Sequence, residues 1–156
     1  ILRIFNVAGF VDNFRFQEFK SKFRRIMPTL ITAIKTKKII NIYGKFSKKA
    51  FQYAIRDYLH VEDFSNLIIK LLHTKNERKK IYNVGSGDCH SLKNVIDIFQ
   101  KLIRKKIKFN IKELRKGELN YTSCNSAKVK KAQKWKPKKN LIHIVKSTIK
   151  WSRLSK

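Results

Sequence analysis

The chain has 156 residues, 42% of them hydrophobic and 31% charged, with 38 Lys and Arg against 10 Asp and Glu for a formal net charge of +28. That length suits one domain with an ordinary core, and the apolar fraction excludes a disordered tail. The charge predicts salt-sensitive attraction to polyanions, nucleic acid included, yet the basic residues are spread through every segment with no helix-turn-helix or Cys/His finger beside them, so any such binding is expected to be non-specific.

Cys89 and Cys124 stand far apart, no signal peptide opens the chain, and no apolar run approaches the roughly 20 residues of a membrane span. The expectation is a reduced, cytoplasmic protein with no membrane segment. The opening Ile1-Leu2-Arg3-Ile4-Phe5 has no initiating Met and reads as cut from something longer.

Residues 1–5 form a near-continuous apolar run, the pattern of a buried parallel strand, and residues 6–9 are expected to turn the chain outward. Residues 10–25, aromatic and basic, read as a loop with some helix. Pro28 suits the first turn of a helix whose apolar face is Met27, Leu30, Ile31 and Ile34. Residues 39–43 form a short strand ended by Gly44, and residues 45–54 a loop. From Ile55 the chain alternates as a strand. Phe64, Leu67, Ile68, Leu71 and Leu72 then recur on one helical face. Residues 74–80 are a solvated connection.

Residues 81–84 make the next strand, which Gly85 and Gly87 bend into a helix capped by Ser91 and burying Val95, Ile96, Phe99, Leu102 and Ile103. Ile107, Phe109 and Ile111 alternate as a strand. Helices follow over residues 127–134 and 141–151, the second capped by Asn140. Short strands mixed with helices make this an α/β chain.

Three local patterns bear on chemistry. Arg56 beside Asp57 at a strand start suits either a planar grip on phosphate or carboxylate, or a surface ion pair. Val84-Gly85-Ser86-Gly87 falls short of a dinucleotide fingerprint. It lacks the third glycine, and the region about 20 residues on is the basic Arg104-Lys105-Lys106 rather than acidic. It reads as a plain strand-to-helix turn. His60 reads as a packed or hydrogen-bonded core residue, and His73, His90, His143 and Cys89 lack metal-ligand spacing, so no metal is assigned.

Five segments carry a resemblance. Leu2-Arg3-Ile4-Phe5-Asn6-Val7-Ala8-Gly9 resembles a Leu-Arg-Tyr-Phe-Asn-Val-Ala-Gly segment. Arg56-Asp57-Tyr58-Leu59-His60-Val61-Glu62-Asp63 resembles Arg-Asp-Tyr-Ile-His-Val-x-Asp. Ile81-Tyr82-Asn83-Val84-Gly85-Ser86-Gly87 resembles a Tyr-Asn-Leu-Gly-x-Gly turn. Arg115-Lys116-Gly117-Glu118 stands for Arg-x-Gly-Asp, and Trp135-Lys136-Pro137 for Gly-Trp-x-Pro. In this order and at this spacing they resemble the UDP-glucose 4-epimerases, which are extended short-chain dehydrogenase/reductase proteins, over the C-terminal half of that family's chain.

The resemblance implies an α/β fold: the C-terminal part of a Rossmann-type protein with its smaller substrate-binding lobe, the N-terminal NAD-binding part missing. Residues 1–156 would then form one truncated unit, with strand edges whose partners lie upstream and which invite aggregation. It also implies a UDP-sugar ligand. Arg56 and Arg115 would hold the diphosphate and Glu118 the ribose hydroxyls. Asn6 would meet the phosphate–sugar end, Asn41, Ile42 and Tyr43 would flank the uracil, Tyr58 would frame the nucleotide, and Phe5 would lie against the nicotinamide of a cofactor.

The family's reaction interconverts UDP-glucose and UDP-galactose through NAD-dependent oxidation at C4. Its base is a Tyr-x-x-x-Lys pair, and no tyrosine here has a lysine four residues on. No catalytic residue is therefore assigned. The chain by itself is not expected to bind NAD or to turn over unless a separate NAD-binding half supplies the rest. Another sugar-nucleotide epimerase or dehydratase would share these motifs, and a polyanion-binding remnant of such an enzyme is the reading from a different class. The chain departs from the family's pattern at Arg24-Arg25-Ile26-Met27-Pro28, at Phe51-Gln52-Tyr53-Ala54 in place of an Asp-Gly-Thr turn, and at Glu118 in place of Asp.

Overall fold

A computed structural model describes residues 1–11, 25–47, 50–74 and 80–154, with side chains through Ser152. In chain order the first elements are β1 (Leu2–Ile4), β2 (Asn6–Ala8), α1 (Ile26–Thr36), β3 (Ile40–Phe46), β4 (Phe51–Tyr53), β5 (Ile55–His60) and α2 (Val61–His73). Then come β6 (Tyr82–Val84), β7 (Cys89–Ser91), α3 (Leu92–Ile103), β8 (Phe109–Glu113), α4 (Ala127–Ala132) and α5 (Leu141–Leu154).

The first strand does not turn outward after Phe5. Its backbone stays extended and changes partner, β1 pairing in parallel with β6 (Leu2↔Tyr82) and β2 in parallel with β5 (Asn6↔Tyr58). Asn6 is therefore a strand residue, because β5 offers its backbone hydrogen bonds a new ladder. β1 pairs with β6 alone among the described residues. Ile1 is 80% and Ile4 50% exposed, so the apolar run is not the buried strand that its composition predicts.

Gly44 does not end β3. A Cβ there would stand 2.2 Å from the Gln52 carbonyl and 2.5 Å from the Phe51 ring, so glycine lets β4 cross close by. β3 runs on through it, antiparallel to β4 (Gly44↔Tyr53) and parallel to β8 (Ile42↔Ile111). The predicted loop over residues 45–54 thus contains a strand. Phe51 lies edge-on to Phe46 and to Tyr53, centroids 4.9 Å apart in each pair, which stabilises the aromatic departure from the Asp-Gly-Thr turn. β7 is a further strand not foreseen between the glycine turn and α3, antiparallel to β5 with Arg56 opposite His90.

Helix periodicity is realised closely in α1, α3 and α5, whereas of the face predicted for α2, Leu67 is buried, Phe64 and Leu71 pack beside it, and Leu72 is 79% exposed. Met27, Leu30 and Ile31 of α1, Val95, Ile96 and Phe99 of α3, and Leu141, Ile144 and Val145 of α5 share one core with Ile42 and Tyr58. Ile34, Leu102 and Ile103 pack against it from the side. Full burial of such side chains contributes about 1.5–3 kcal/mol each. The Ser91 hydroxyl accepts from Asn94 N at 3.1 Å, and Asn140 Oδ1 accepts from His143 N at 3.2 Å, so both predicted caps are formed. A second core gathers Leu59, Leu67, Tyr82, Val84, Val129 and Trp135 beneath α2 and α4. The reading of residues 10–25 falls mostly outside the described residues, as does that of 75–79.

Candidate functional site

β5 is the strand on which the site is built. Ile55, at its start, donates its N–H to Asn120 O at 2.7 Å and accepts from Thr122 N at 3.1 Å. The segment after β8 is thereby laid against Arg56. The Arg56 side chain is 15% exposed. Its Nη1 donates to Ile55 O at 2.9 Å and to Asn120 O at 3.3 Å, and its Nη2 donates to Glu118 Oε1 at 3.2 Å. Arg56 therefore pairs with Glu118 rather than with its neighbour Asp57. Successive side chains of a strand point to opposite faces, which rules out the adjacent ion pair.

Arg115 to Glu118 is a tight turn, closed by Glu118 N donating to Arg115 O at 2.9 Å, with Gly117 at φ 80°. That left-handed conformation is one glycine adopts without strain. The Arg115 guanidinium stands 4.3 Å from the centroid of the Tyr43 ring, a cation–π contact. Its hydrogen bond to Tyr43 raises its pKa further. The site thus holds two arginines at the two ends of one short segment, the first bonded to the carboxylate of Glu118 and the second opening its turn.

Tyr43 and Asn41 lie on one face of β3 and Ile42 on the other. Ile42 is buried in the core, whereas Asn41 is exposed and Tyr43 half-buried, so Ile42 has only its backbone to offer a ligand. Pairing of β3 with β4 begins at Gly44. On that side residues 41 and 42 have no strand partner among the described residues. Asn6 is exposed and donates its amide to Asp57 O at 2.9 Å, which ties it to β5 beside Tyr58. Tyr58 itself is buried, and loss of solvent holds its phenol well above the usual tyrosine range. Phe5 is half-buried at the β1–β2 junction and donates its N–H to Val84 O at 2.9 Å. Arg56 and Glu118 are therefore in contact, as are Arg115 and Tyr43, while Asn6 stands opposite Tyr58 in the middle of β5 and Phe5 is tied to β6.

The acidic residues of the β5–α2 segment hold the frame. The Asp57 carboxylate is fully buried and accepts from Ser86 N at 2.8 Å, Ser86 Oγ at 2.7 Å and Gly87 N at 2.8 Å. Asp63 accepts from the N–H groups of Lys138 and Lys139, and its carbonyl from Trp135 Nε1 at 3.1 Å, so it anchors the Trp135-Lys136-Pro137 segment to α2. His60 Nδ1 caps α2 by accepting from Glu62 N at 3.1 Å, and its Nε2 lies 3.2 Å from Ser147 Oγ. His60 is thus the hydrogen-bonded core residue expected. The parts played by Asp57 and Asp63 had no local signal, because their partners lie about 30 and 75 residues away.

The Asp57 clamp bears on a dinucleotide directly. The N–H groups of Ser86 and Gly87, which a pyrophosphate would need, are occupied by Asp57. Gly85 serves close packing, since a Cβ there would meet Cys124 Cβ at 2.5 Å. The turn does not fit a pyrophosphate cradle. Among the described residues no group of three His, Cys, Asp or Glu could hold a metal, and no helix is long and apolar enough to cross a membrane. Three buried polar atoms have no hydrogen-bond partner there: Glu118 Oε2, Asn120 Oδ1 and, at the start of α4, Ser126 Oγ.

Comparison with known proteins adds the following. The family model for the NAD dependent epimerase/dehydratase family matches residues 1–85. A UDP-glucose 4-epimerase of Dictyostelium discoideum is 26% identical over 127 residues, 80% of this chain and 37% of that protein. The UDP-glucose 4-epimerase of Mycoplasma genitalium is 30% identical over 145 residues, 90% of this chain and 42% of that protein. A crystal structure of UDP-glucose-4-epimerase from Stenotrophomonas maltophila, with bound NAD and formylated UDP-arabinopyranose, superposes with a TM-score of 0.84 at 21% identity, covering 98% of this chain and 47% of that one. That last likeness is one of fold, the α/β fold of the extended short-chain dehydrogenase/reductase epimerases. The chain spans about a third to a half of the length of the curated relatives it matches.

Proposed function

The chain belongs to the NAD dependent epimerase/dehydratase family, and on that basis we propose that it is the UDP-sugar-binding portion of a UDP-glucose 4-epimerase-like protein, one interconverting UDP-glucose and UDP-galactose. The observation that carries this reading is the Arg115–Glu118 turn. It presents one guanidinium on the Tyr43 ring and sets Glu118 against a second, Arg56. Arg115 is exposed and suits a diphosphate. The Tyr43 face and the backbone of residues 41–42 suit a flat base, and Asn6 marks the sugar end.

In the proposed reaction NAD supplies the hydride acceptor at C4. The residues of this chain bind and orient the sugar nucleotide. The Tyr-x-x-x-Lys pair and the dinucleotide cradle belong to a second portion, on the same or a separate polypeptide. β1 is the edge along which such a portion would join, since it pairs on one side and exposes Ile1 and Ile4.

The test is calorimetric titration of the purified chain with UDP, UMP and uridine, together with an assay for UDP-galactose from UDP-glucose and added NAD. Binding that weakens from UDP to UMP to uridine, without turnover, is the expected result. Turnover by the chain alone would overturn the division of labour, and no UDP binding would overturn the site.

One observation favours a second reading, a polyanion-binding surface: no Asp or Glu follows Glu118, while lysines crowd residues 128–139. Binding to RNA or DNA that falls steeply with salt and ignores UDP would support it.

A further inference from the structure

We propose that the end of the β3–β8 sheet at which α1 and α3 both stop is a docking surface for the phosphate backbone of a nucleic-acid duplex. The inference does not rest on the UDP-sugar reading, and it places polyanion contact away from residues 128–139.

Topology assembles this surface from two distant stretches of chain. β3 and β8 are parallel neighbours that begin together, Ile40 opposite Phe109, with Ile40 N donating to Lys108 O at 3.3 Å. Each is entered from a helix that ends on a residue at positive φ, Lys37 at 56° after α1 and Arg104 at 54° after α3. The two helices share one core, so their last turns and the links into the strands gather at one end of the sheet. The first link brings Lys35, Lys37 and Lys38. The second brings Lys101, Arg104, Lys105, Lys106 and Lys108, and all eight residues are exposed. Tyr43 lies three residues beyond Ile40 along β3, roughly 10 Å at the rise of a strand, so the surface is separate from the nucleotide site.

Among the described residues none of these eight side chains has an acidic partner. Asp97, one turn before Lys101, is held by Lys93, and Glu113 stands at the far end of β8. Helix C-termini favour cations, but two of them offer only roughly −0.5 charge each against eight positive charges. The excess repels itself, and a polyanion relieves it. Residues 128–139 are different, because three of their lysines serve the fold. Lys130 donates to Ser86 O at 2.9 Å, Lys139 pairs with Glu62 at 3.1 Å, and Lys128 lies over the Tyr82 ring.

The surface suits phosphates rather than bases or acyl chains. Phe109, the aromatic residue at this end of β8, packs against the core and offers no platform on which an unpaired base could stack. Ile39 is the large apolar side chain exposed here, too little to bury in a bilayer. Lysines without stacking rings contact phosphates irrespective of sequence.

The experiment is fluorescence anisotropy of labelled DNA and RNA duplexes of mixed sequence with the full chain, between about 50 and 200 mM salt. It is repeated for Lys35→Gln, Lys38→Gln, Lys105→Gln and Lys106→Gln combined, and for Lys131→Gln, Lys134→Gln, Lys136→Gln and Lys138→Gln combined, which removes the same charge. Circular dichroism confirms that both variants are folded. At least one duplex is expected to bind, and the one that binds names the nucleic acid. The first variant should bind at least about tenfold more weakly, with the slope of log K against log salt flattened by about 3–4, and the second should lose less than about threefold. Equal losses in the two variants overturn the proposal, since total charge alone would then govern binding. Absence of duplex binding at about 50 mM salt overturns it as well. So does binding to phosphatidylserine vesicles that the first variant abolishes while duplex binding stays unchanged, which would make this a membrane surface.

Discussion

The carboxylate of Asp57 accepts both the backbone N–H and the hydroxyl of Ser86, at 2.8 and 2.7 Å, across 29 residues of chain. With Gly87 N as a third donor, one buried side chain sets the turn between β6 and β7. It also fills the anion-binding position that such a turn would otherwise present. Replacing Asp57 with Ala leaves two backbone donors and a hydroxyl without their acceptor. A loss of about 3–5 kcal/mol is expected, given that bonds to charged groups contribute roughly 1.5–3 kcal/mol each. Urea unfolding followed by circular dichroism measures it, and a loss below about 1 kcal/mol would show that the clamp is dispensable.

Gly85 is a second dependence of the same turn. The Cβ of Gly85→Ala would fall 2.5 Å from Cys124 Cβ and 2.9 Å from Asp57 Oδ2. The substitution should cost about 1–3 kcal/mol by overpacking, and part of that should return in the background of Cys124→Gly. Strict additivity in the double-mutant cycle would contradict the contact.

His60 makes stability depend on pH. Burial, with Lys139 nearby, lowers its pKa from 6.5, and its Nδ1 must stay unprotonated to cap α2. The unfolded chain therefore binds a proton here before the native chain does. Stability is full above about pH 6.5 and falls as pH drops from there toward the native-state value, by at most about 1.4 kcal/mol per pH unit from this one group. His60→Asn, which can still cap the helix, should flatten that slope. An unchanged slope in urea titrations between pH 5 and 8 would assign it elsewhere.

The two thiols should differ in reactivity. Burial, with the Asp57 carboxylate adding to it, pushes the Cys124 pKa up to about 11, whereas Cys89 is half-buried. Iodoacetamide at pH 8 should label Cys89 in the native protein and spare Cys124 until urea is added. Peptide mass spectrometry reads this directly, and equal native labelling rates would contradict the buried placement. Stability contributed by the neutral Cys124 thiol is complete below about pH 9 and is lost as pH rises from there toward about 11.

The helices were legible because their information is local. The spacing of Leu30, Ile31, Val95, Ile96 and Phe99, with Ser91 and Asn140 at the caps, is read within a few residues and is realised as read. β2, β4 and β7 are three-residue strands whose pairing is decided by distant partners, and no window around Asn6 or Cys89 contains that partner. Glycine often ends a strand, whereas here Gly44 makes room for Phe51.

The site divides in the same way. Arg56, Arg115 and Glu118 came from family resemblance. The pairing of Arg56 with Glu118 instead of Asp57 follows from strand alternation and the path of the chain after β8. Asn120, whose carbonyl accepts from Arg56 and from Ile55 N, carries no local pattern that would single it out.

The division of one extended segment between β6 and β5 also sets a timetable for synthesis. Leu2 must wait for Tyr82, 80 residues later, and Asn6 for Tyr58, 52 residues later. At roughly 5–20 residues per second, the segment from Leu2 to Ala8 waits several seconds for β5 and β6 while α1, the β3–β4 hairpin and α2 are being made. The β2–β5 pairing can close first, and β1 can dock only after β6 has left the ribosome. Leu141, Ile144 and Val145 of α5 arrive later still, so the core that they share with Ile42 and Tyr58 is the last part to close.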